Sequence, residues 1–182
     1  MVTEMVTFAT PPVASWVTPV AVFAVLGFVT LQRLSELVVA RRNTSRLLAA
    51  GGYEVGAGHY PVMVALHTAW LAGLWLLAPG RPVDTIALAA YFLVQPLRLW
   101  ILMTLGGRWT TRIIVLPGAP LVRSGPYRFL SHPNYVVVIA EIALLPLAFH
   151  LYWYALAFSL ANAVLLTVRI RTENAALARA AS

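Results

Sequence analysis

Cysteine and lysine are both absent from this chain of 182 residues, and charged side chains of any kind are scarce. Without cysteine, a disulfide framework, a thiolate nucleophile and a cysteine-ligated zinc or iron–sulfur site are all excluded. Charged residues make up 10% of the sequence and hydrophobic ones 60%, with a mean hydropathy of +0.80. Since a soluble domain has about a quarter charged residues, the composition predicts an integral helical membrane protein.

Long apolar runs divide the chain into candidate membrane helices. A helix of about 20 predominantly apolar residues crosses the hydrocarbon core of a bilayer. Five segments are predicted to do so: 17–40, 60–79, 83–104, 133–148 and 150–168. We therefore expect an all-α integral membrane fold of five transmembrane helices, forming a single membrane domain over residues 1–182.

Arginine supplies the whole of the basic excess, 13 Lys+Arg against 6 Asp+Glu. Such an excess can indicate a nucleic-acid partner, but these arginines fall in short loops beside apolar spans, which favours anionic membrane lipids instead. Most of them follow the first, third and fifth spans: Arg41, Arg42, Arg46, Arg108, Arg112, Arg123, Arg128, Arg169, Arg171 and Arg179. By the positive-inside rule, the N-terminus is expected outside and the C-terminus in the cytoplasm.

The loop after the first span is predicted to contain a short helix followed by glycines. We expect a short interfacial helix at about 43–50, ended by Gly51 and Gly52, because glycine adopts the left-handed conformation at helix ends without steric cost. No strand precedes these glycines, so a dinucleotide-binding motif is not predicted. The four histidines share no ligand spacing, and no metal site is expected.

Segment 124–135 concentrates polar and aromatic side chains between two apolar runs. Pro133 suits the first turn of the fourth helix. His132 and Asn134 are therefore expected near a helix N-terminus, where unpaired N–H groups attract anions. Handling of a polar ligand is one interpretation, and an interfacial aromatic belt with a helix cap is the other.

Several charged or polar side chains are predicted to lie inside the membrane spans. Glu141 is one, and an ionisable group in a membrane helix is a functional hypothesis by default; the alternative is a structural ion pair with Arg98 or Arg33. Arg33 and Glu36 are adjacent on one helix face and form either a self-neutralising pair or part of a polar cavity. Gln95 and Arg98 are candidates for the same cavity.

Three motifs together resemble the isoprenylcysteine carboxyl methyltransferase family. Its members are small integral-membrane enzymes that use S-adenosylmethionine. The motifs are Gly125-Pro126-Tyr127, His132-Pro133-Asn134-Tyr135 and the stretch from Arg169 to Leu177. The resemblance covers residues 90–178, the expected methyltransferase core. Two positions depart from the family pattern, since Ser131 replaces an arginine and Asn174 a second glutamate. Arg33, Glu36 and Glu141 look more like a bacterial branch that methylates hydroxyls of alkylpyrones or related polyketides.

The resemblance implies roles for particular residues. Those implied for cofactor binding are Tyr127, His132, Pro133 and Tyr135, and Asn134 between them is a further candidate for the cofactor. Arg169 and Glu173 are implied to orient the cofactor or the acceptor, and Glu141 is a hypothesis for the group acting at the acceptor oxygen. An intrahelical ion pair at a solvated helix end is the alternative for Arg169 and Glu173. The substrate-binding candidates are Arg33, Glu36, Gln95 and Arg98.

The expected function is methyl transfer from S-adenosylmethionine to an oxygen, hydroxyl or carboxylate, of a lipophilic small-molecule acceptor. We expect a multi-pass protein of the bacterial inner membrane, with its active site facing the cytoplasm. The enzymatic alternatives are a phospholipid N-methyltransferase and an NADPH-dependent membrane reductase. A small transporter or a membrane scaffold is the alternative outside enzymes, although the chain shows no inverted repeat.

Overall fold

The computed structural model describes residues 14–181, with side-chain environments for 19–178, and is almost wholly helical. Its long helices are α1 (Ala14–Ala49), α2 (Tyr60–Leu77), α3 (Thr85–Leu105), α4 (Pro133–Ala148) and α5 (Tyr152–Ala181). Short 3-10 helices lie in the connections at Ala57–His59, Gly106–Arg108 and Gly125–Arg128. The all-α membrane fold with five helices is confirmed; the expected domain, 1–182, reaches beyond the described residues at both ends.

Four helices within residues 14–181 are long and apolar enough to cross a membrane: Pro19–Ala49, Ala57–Leu77, Thr85–Arg108 and Tyr152–Ala178. α4 differs from them, because its 16 residues extend only about 24 Å against a hydrocarbon core of about 30 Å. It packs closely against α3 and α5, with Glu141 and Leu145 fully buried. The predicted fourth span is therefore a short helix enclosed largely by protein.

α1 is one continuous helix of 36 residues, so the separate interfacial helix expected at 43–50 is wrong. No proline or glycine interrupts the chain there, and the helix simply extends beyond the apolar run. Near its end, the side-chain amide of Asn43 donates to the backbone oxygens of Gly106 (3.0 Å) and Trp109 (2.8 Å). Gly51, with φ of 90°, follows the helix end as predicted.

Two short strands that the sequence analysis missed join the long connections. β1 (Tyr53–Val55) pairs antiparallel with β2 (Ile113–Val115), and the Arg112 guanidinium lies 2.7 Å from the Glu54 carboxylate beside them. Both strands contact α5. The α1–α2 and α3–α4 connections and the C-terminal half of α5 therefore lie together; we call this the basic end of the bundle.

The opposite end is closed by a helix cap and a tight turn. The Asp84 carboxylate accepts from the backbone N–H groups of Ile86 (2.9 Å) and Ala87 (3.0 Å), which caps α3. The Asp84 N–H donates to the Ala148 oxygen at 2.8 Å, linking α3 to the end of α4. α4 and α5 are joined by three residues, with His150 at φ of 54°, as the expected antiparallel pair requires.

Replacing Asp84 tests the cap. Asp84→Ala removes both hydrogen bonds to the start of α3, and we expect a loss of about 1 kcal/mol of unfolding free energy in detergent. Asp84→Asn is the control, because asparagine caps helices about as well as aspartate. An equal loss in both variants would show that the negative charge matters here and the cap does not.

Candidate functional site

A cavity of about 450 Å³ lies between α1 and α2 and reaches the start of α4 and the C-terminal half of α5. Its α1 and α2 walls are largely apolar and include Leu34 and Val64, which remain 55% and 42% exposed. The cavity therefore opens sideways between two helices of membrane-spanning length. Its lining at the basic end is polar and includes Asn134, Tyr135 and Arg169.

Tyr135 joins the polar groups at this end. Its hydroxyl donates to the Glu173 carboxylate and accepts from Nε of Arg169 at 2.9 Å. Arg169 also donates to the Thr111 backbone oxygen (2.7 Å) and contacts the Met63 sulfur (3.0 Å). Among the residues described, Arg169 and Glu173 make no direct ion pair. The structure thus favours a shared site over a solvated intrahelical pair.

His132 connects the start of α4 to the C-terminal motif on α5. Its ring stacks on that of Tyr135, with centroids 5.2 Å apart and planes at 26°. Nε2 lies 3.0 Å from Oδ1 of Asn174, and because an amide oxygen only accepts, this nitrogen is the donor. Nδ1 lies 3.7 Å from the Glu173 carboxylate. Pro133 occupies the first turn of α4, as predicted, so His132 stands at a helix N-terminus.

Asn134 lies at this end of the cavity, and Tyr127 packs nearby without lining it. The Asn134 side-chain oxygen is buried and has no hydrogen-bond partner in the described part of the chain. Tyr127 packs beside buried Ile101 and Trp109, and burial, with the nearby charge of Glu173, raises the pKa of its phenol to about 12. Tyr127 is therefore protonated and lies outside the cavity lining, whereas Asn134 is part of that lining.

Four charged residues form a closed network between α1, α3 and α4. Arg98 donates to both carboxylate oxygens of Glu36 and, at 2.8 Å, to Glu141. Arg33 contacts the same two carboxylates, at 3.3 Å for Glu36 and 2.7 Å for Glu141. Gln95 donates to the second oxygen of Glu141 at 3.1 Å. Two positive and two negative charges cancel, which lowers the cost of holding them in the membrane interior.

The network places its members differently with respect to the cavity. Arg33, Glu36 and Arg98 contribute to the lining, whereas Gln95 and Glu141 lie behind it. Glu141 is fully buried, and both of its oxygens already accept hydrogen bonds. This geometry favours the ion-pair interpretation of Glu141 and argues against its acting at the acceptor oxygen. Both arginines proposed from the sequence as its ion-pair partners, Arg33 and Arg98, contact it.

Several polar cavity residues were not predicted from the sequence, and two of them carry an imidazole or an amide. His67 on α2 and Asn162 on α5 both line the cavity but stand alone within apolar runs. Their spacing from other polar residues could have indicated this placement. Asn162 precedes Arg169 by seven residues, and His67 follows Tyr60 by seven. Residues at this spacing share a helix face.

The Glu141 network generates a stability prediction. Glu141→Gln leaves the buried guanidinium of Arg98 and the partly buried one of Arg33 with one carboxylate, and we expect a loss of about 3–5 kcal/mol of unfolding free energy in detergent. Glu54→Gln is the control, because it breaks a pair whose arginine is 40% exposed, and exposed pairs contribute below about 1 kcal/mol. Equal losses in the two variants would contradict a structural role for the buried network.

Comparisons with known proteins agree with the motif region. The family described as "Isoprenylcysteine carboxyl methyltransferase (ICMT) family" matches residues 86–179. "Uncharacterized protein YpbQ" of Bacillus subtilis is 42% identical over 157 residues, covering 84% of this chain and 94% of that protein. An "Uncharacterized protein" of Haemophilus influenzae is 24% identical over 151 residues, covering 80% and 88%. No solved structure gives a significant match.

Proposed function

Because this chain belongs to the isoprenylcysteine carboxyl methyltransferase family, we propose that it transfers a methyl group from S-adenosylmethionine to an oxygen of a lipophilic acceptor. Members of the family are membrane methyltransferases that use this cofactor. One observation carries the proposal: a single cavity has an apolar side opening and a polar end formed by the family's motif residues. A lipophilic acceptor and a polar cofactor can therefore meet inside it.

The residues at the polar end fit S-adenosylmethionine. The cofactor carries an ammonium group, a carboxylate, ribose hydroxyls and an adenine ring, and when bound it supplies an electrophilic methyl group. Glu173 lies just outside the cavity lining, where it accepts from Tyr135 and offers a carboxylate to a cationic group. The unpaired oxygen of Asn134 calls for a donor such as an ammonium or a hydroxyl. The ring of His132, already stacked on Tyr135, gives an aromatic surface beside them.

Arg169 is the residue best placed to orient an acceptor oxygen. Its guanidinium lines the cavity while Tyr135 and the Thr111 backbone hold it in place. A planar guanidinium binds an anionic or polarised oxygen through directed donors. Methyl transfer requires that oxygen in line with the methyl carbon at van der Waals distance, shielded from water. The apolar α1 and α2 walls accommodate the rest of the acceptor.

The proposal includes an orientation in the membrane. The basic end carries most of the arginines outside the buried network, and the positive-inside rule directs such loops to the cytoplasm. S-Adenosylmethionine is a polar cytoplasmic metabolite, so it enters from that side. We therefore propose a bacterial inner-membrane protein with an external N-terminus, a cytoplasmic C-terminus and a site facing the cytoplasm.

Cofactor binding is the first test. Purified protein in detergent is expected to bind S-adenosylmethionine by calorimetry, and His132→Ala should raise the dissociation constant by about tenfold, equivalent to about 1.4 kcal/mol. Arg81→Ala is the control, because Arg81 is exposed at the opposite end of the bundle. A well-folded wild-type protein that binds no cofactor would refute the proposal.

Tyr135→Phe tests the polar end more narrowly. It keeps the aromatic ring and removes the hydroxyl shared by Arg169 and Glu173, so both side chains lose their relative position. Membranes containing this variant are expected to incorporate about tenfold less labelled methyl from S-adenosylmethionine into lipid, with the product identified by mass spectrometry.

Tyr154→Phe is the matched control for this experiment. It removes a hydroxyl that donates to the backbone oxygens of Ala69 and Trp70, away from the polar end of the cavity. If the two tyrosine variants lose the same activity, the shared hydroxyl has no special role in methyl transfer.

A further inference from the structure

His67 lines the cavity with a fixed tautomer. Its Nδ1 lies 2.9 Å from the backbone oxygen of Met63, one turn earlier on α2. A carbonyl oxygen only accepts, so Nδ1 carries the hydrogen and Nε2 of the neutral ring has a free lone pair. No residue within the described range hydrogen-bonds to that Nε2. Nε2 of His67 is therefore a hydrogen-bond acceptor without a donor in the described part of the chain.

His67 stands beside the part of the cavity assigned to the reaction. Met63 contacts Nη1 of Arg169 at 3.0 Å, and His67 is one helical turn farther along α2, about 6 Å. Arg33 and Glu36 of α1, Arg98 of α3 and Arg169 of α5 line the same cavity. An acceptor whose oxygen is oriented by Arg169 would therefore occupy the cavity that His67 also lines.

The other candidate bases are already engaged. Glu36 is the remaining carboxylate or imidazole among the described cavity-lining residues, and Arg98 binds both of its oxygens. Glu141 lies behind the wall, held by Arg33 and Arg98. Glu173 accepts the hydroxyl hydrogen of Tyr135. Nε2 of His67 is consequently the available basic atom in the lining.

A further unpaired acceptor, besides that of Asn134, lies in the same cavity. Asn162 is 1% exposed, and its side-chain oxygen has no hydrogen-bond partner in the described part of the chain. A buried oxygen without a donor is costly, and so the site is suited to a ligand that brings a hydrogen of its own. A hydroxyl brings one, whereas an ionised carboxylate does not.

We propose that His67 accepts, through Nε2, the proton of a hydroxyl-bearing acceptor during methyl transfer; this rests on the proposed function. The acceptor oxygen forms a bond to the methyl carbon, and the carbon–sulfur bond breaks with its electron pair remaining on sulfur. The hydroxyl proton passes to Nε2, and the resulting imidazolium returns it to water after the product leaves. Asn162 accepts from a donor of the same ligand and positions it.

A spectroscopic test follows hydrogen bonding to His67 without requiring turnover. Protein with ¹⁵N-labelled histidine, saturated with S-adenosylhomocysteine, is titrated with 4-dodecylphenol, and the His67 signals are assigned by their loss in His67→Gln. Nε2 is expected to shift from the unprotonated position towards that of a hydrogen-bonded nitrogen. The matched probe 4-dodecylanisole lacks the hydroxyl and should leave Nε2 unchanged. No shift with the phenol, or equal shifts with both probes, would overturn the proposal.

Turnover provides the second test and separates the two proposals. His67→Gln should lower labelled-methyl incorporation into membrane lipid by about a hundredfold, in the range of general-base catalysis, while its dissociation constant for S-adenosylmethionine stays within about twofold. Full activity in His67→Gln would overturn the role of His67 and leave the proposed function intact. Wild-type protein that neither binds S-adenosylmethionine nor methylates lipid would refute the proposed function itself.

Discussion

The buried pairing of Arg33 and Arg98 with Glu36 and Glu141 is the constraint on which the rest of the bundle depends. Taken singly, each charge is costly in a membrane interior, and it is tolerated because three helices bring the four together. The pairing holds α1 against α3 and α4 at the depth where α1 separates from α2. Because that separation creates the cavity, the network serves as one of its walls as well as a structural clamp.

The cavity combines an apolar and a polar environment. Exposed apolar residues of α1 and α2 border its side opening, while motif residues of α4 and α5 form its polar end. Such a gradient suits a ligand with an apolar body and one reactive oxygen. It would also allow the proposed cofactor and the proposed lipophilic acceptor to enter from different directions, so that neither has to cross the other's path.

Hydrogen bonds at the polar end join family motifs that lie far apart along the chain. Tyr135 lies in the first turn of α4 and Arg169 on α5, yet one hydroxyl joins Arg169 to Glu173. The backbone oxygen of Thr111, next to the small sheet, accepts from another nitrogen of the same guanidinium. The two connecting loops at the basic end therefore take part in positioning the site, although neither contains a long regular element.

Much of this was predictable from the sequence alone. Apolar runs set the helices because an uncovered backbone is not tolerated in lipid, and Gly51 and Pro133 marked helix ends as local chemistry requires. The ends of α1 and the strands β1 and β2 were not predictable, since a polar helix extension and three-residue strands are stabilised by neighbours distant in sequence. The placement of Glu141 behind the wall, and of His67 and Asn162 facing the cavity, was decided by the tertiary structure. Residue type and spacing specify a helix face, and only the packing of helices determines whether that face meets a charge, a cavity or lipid.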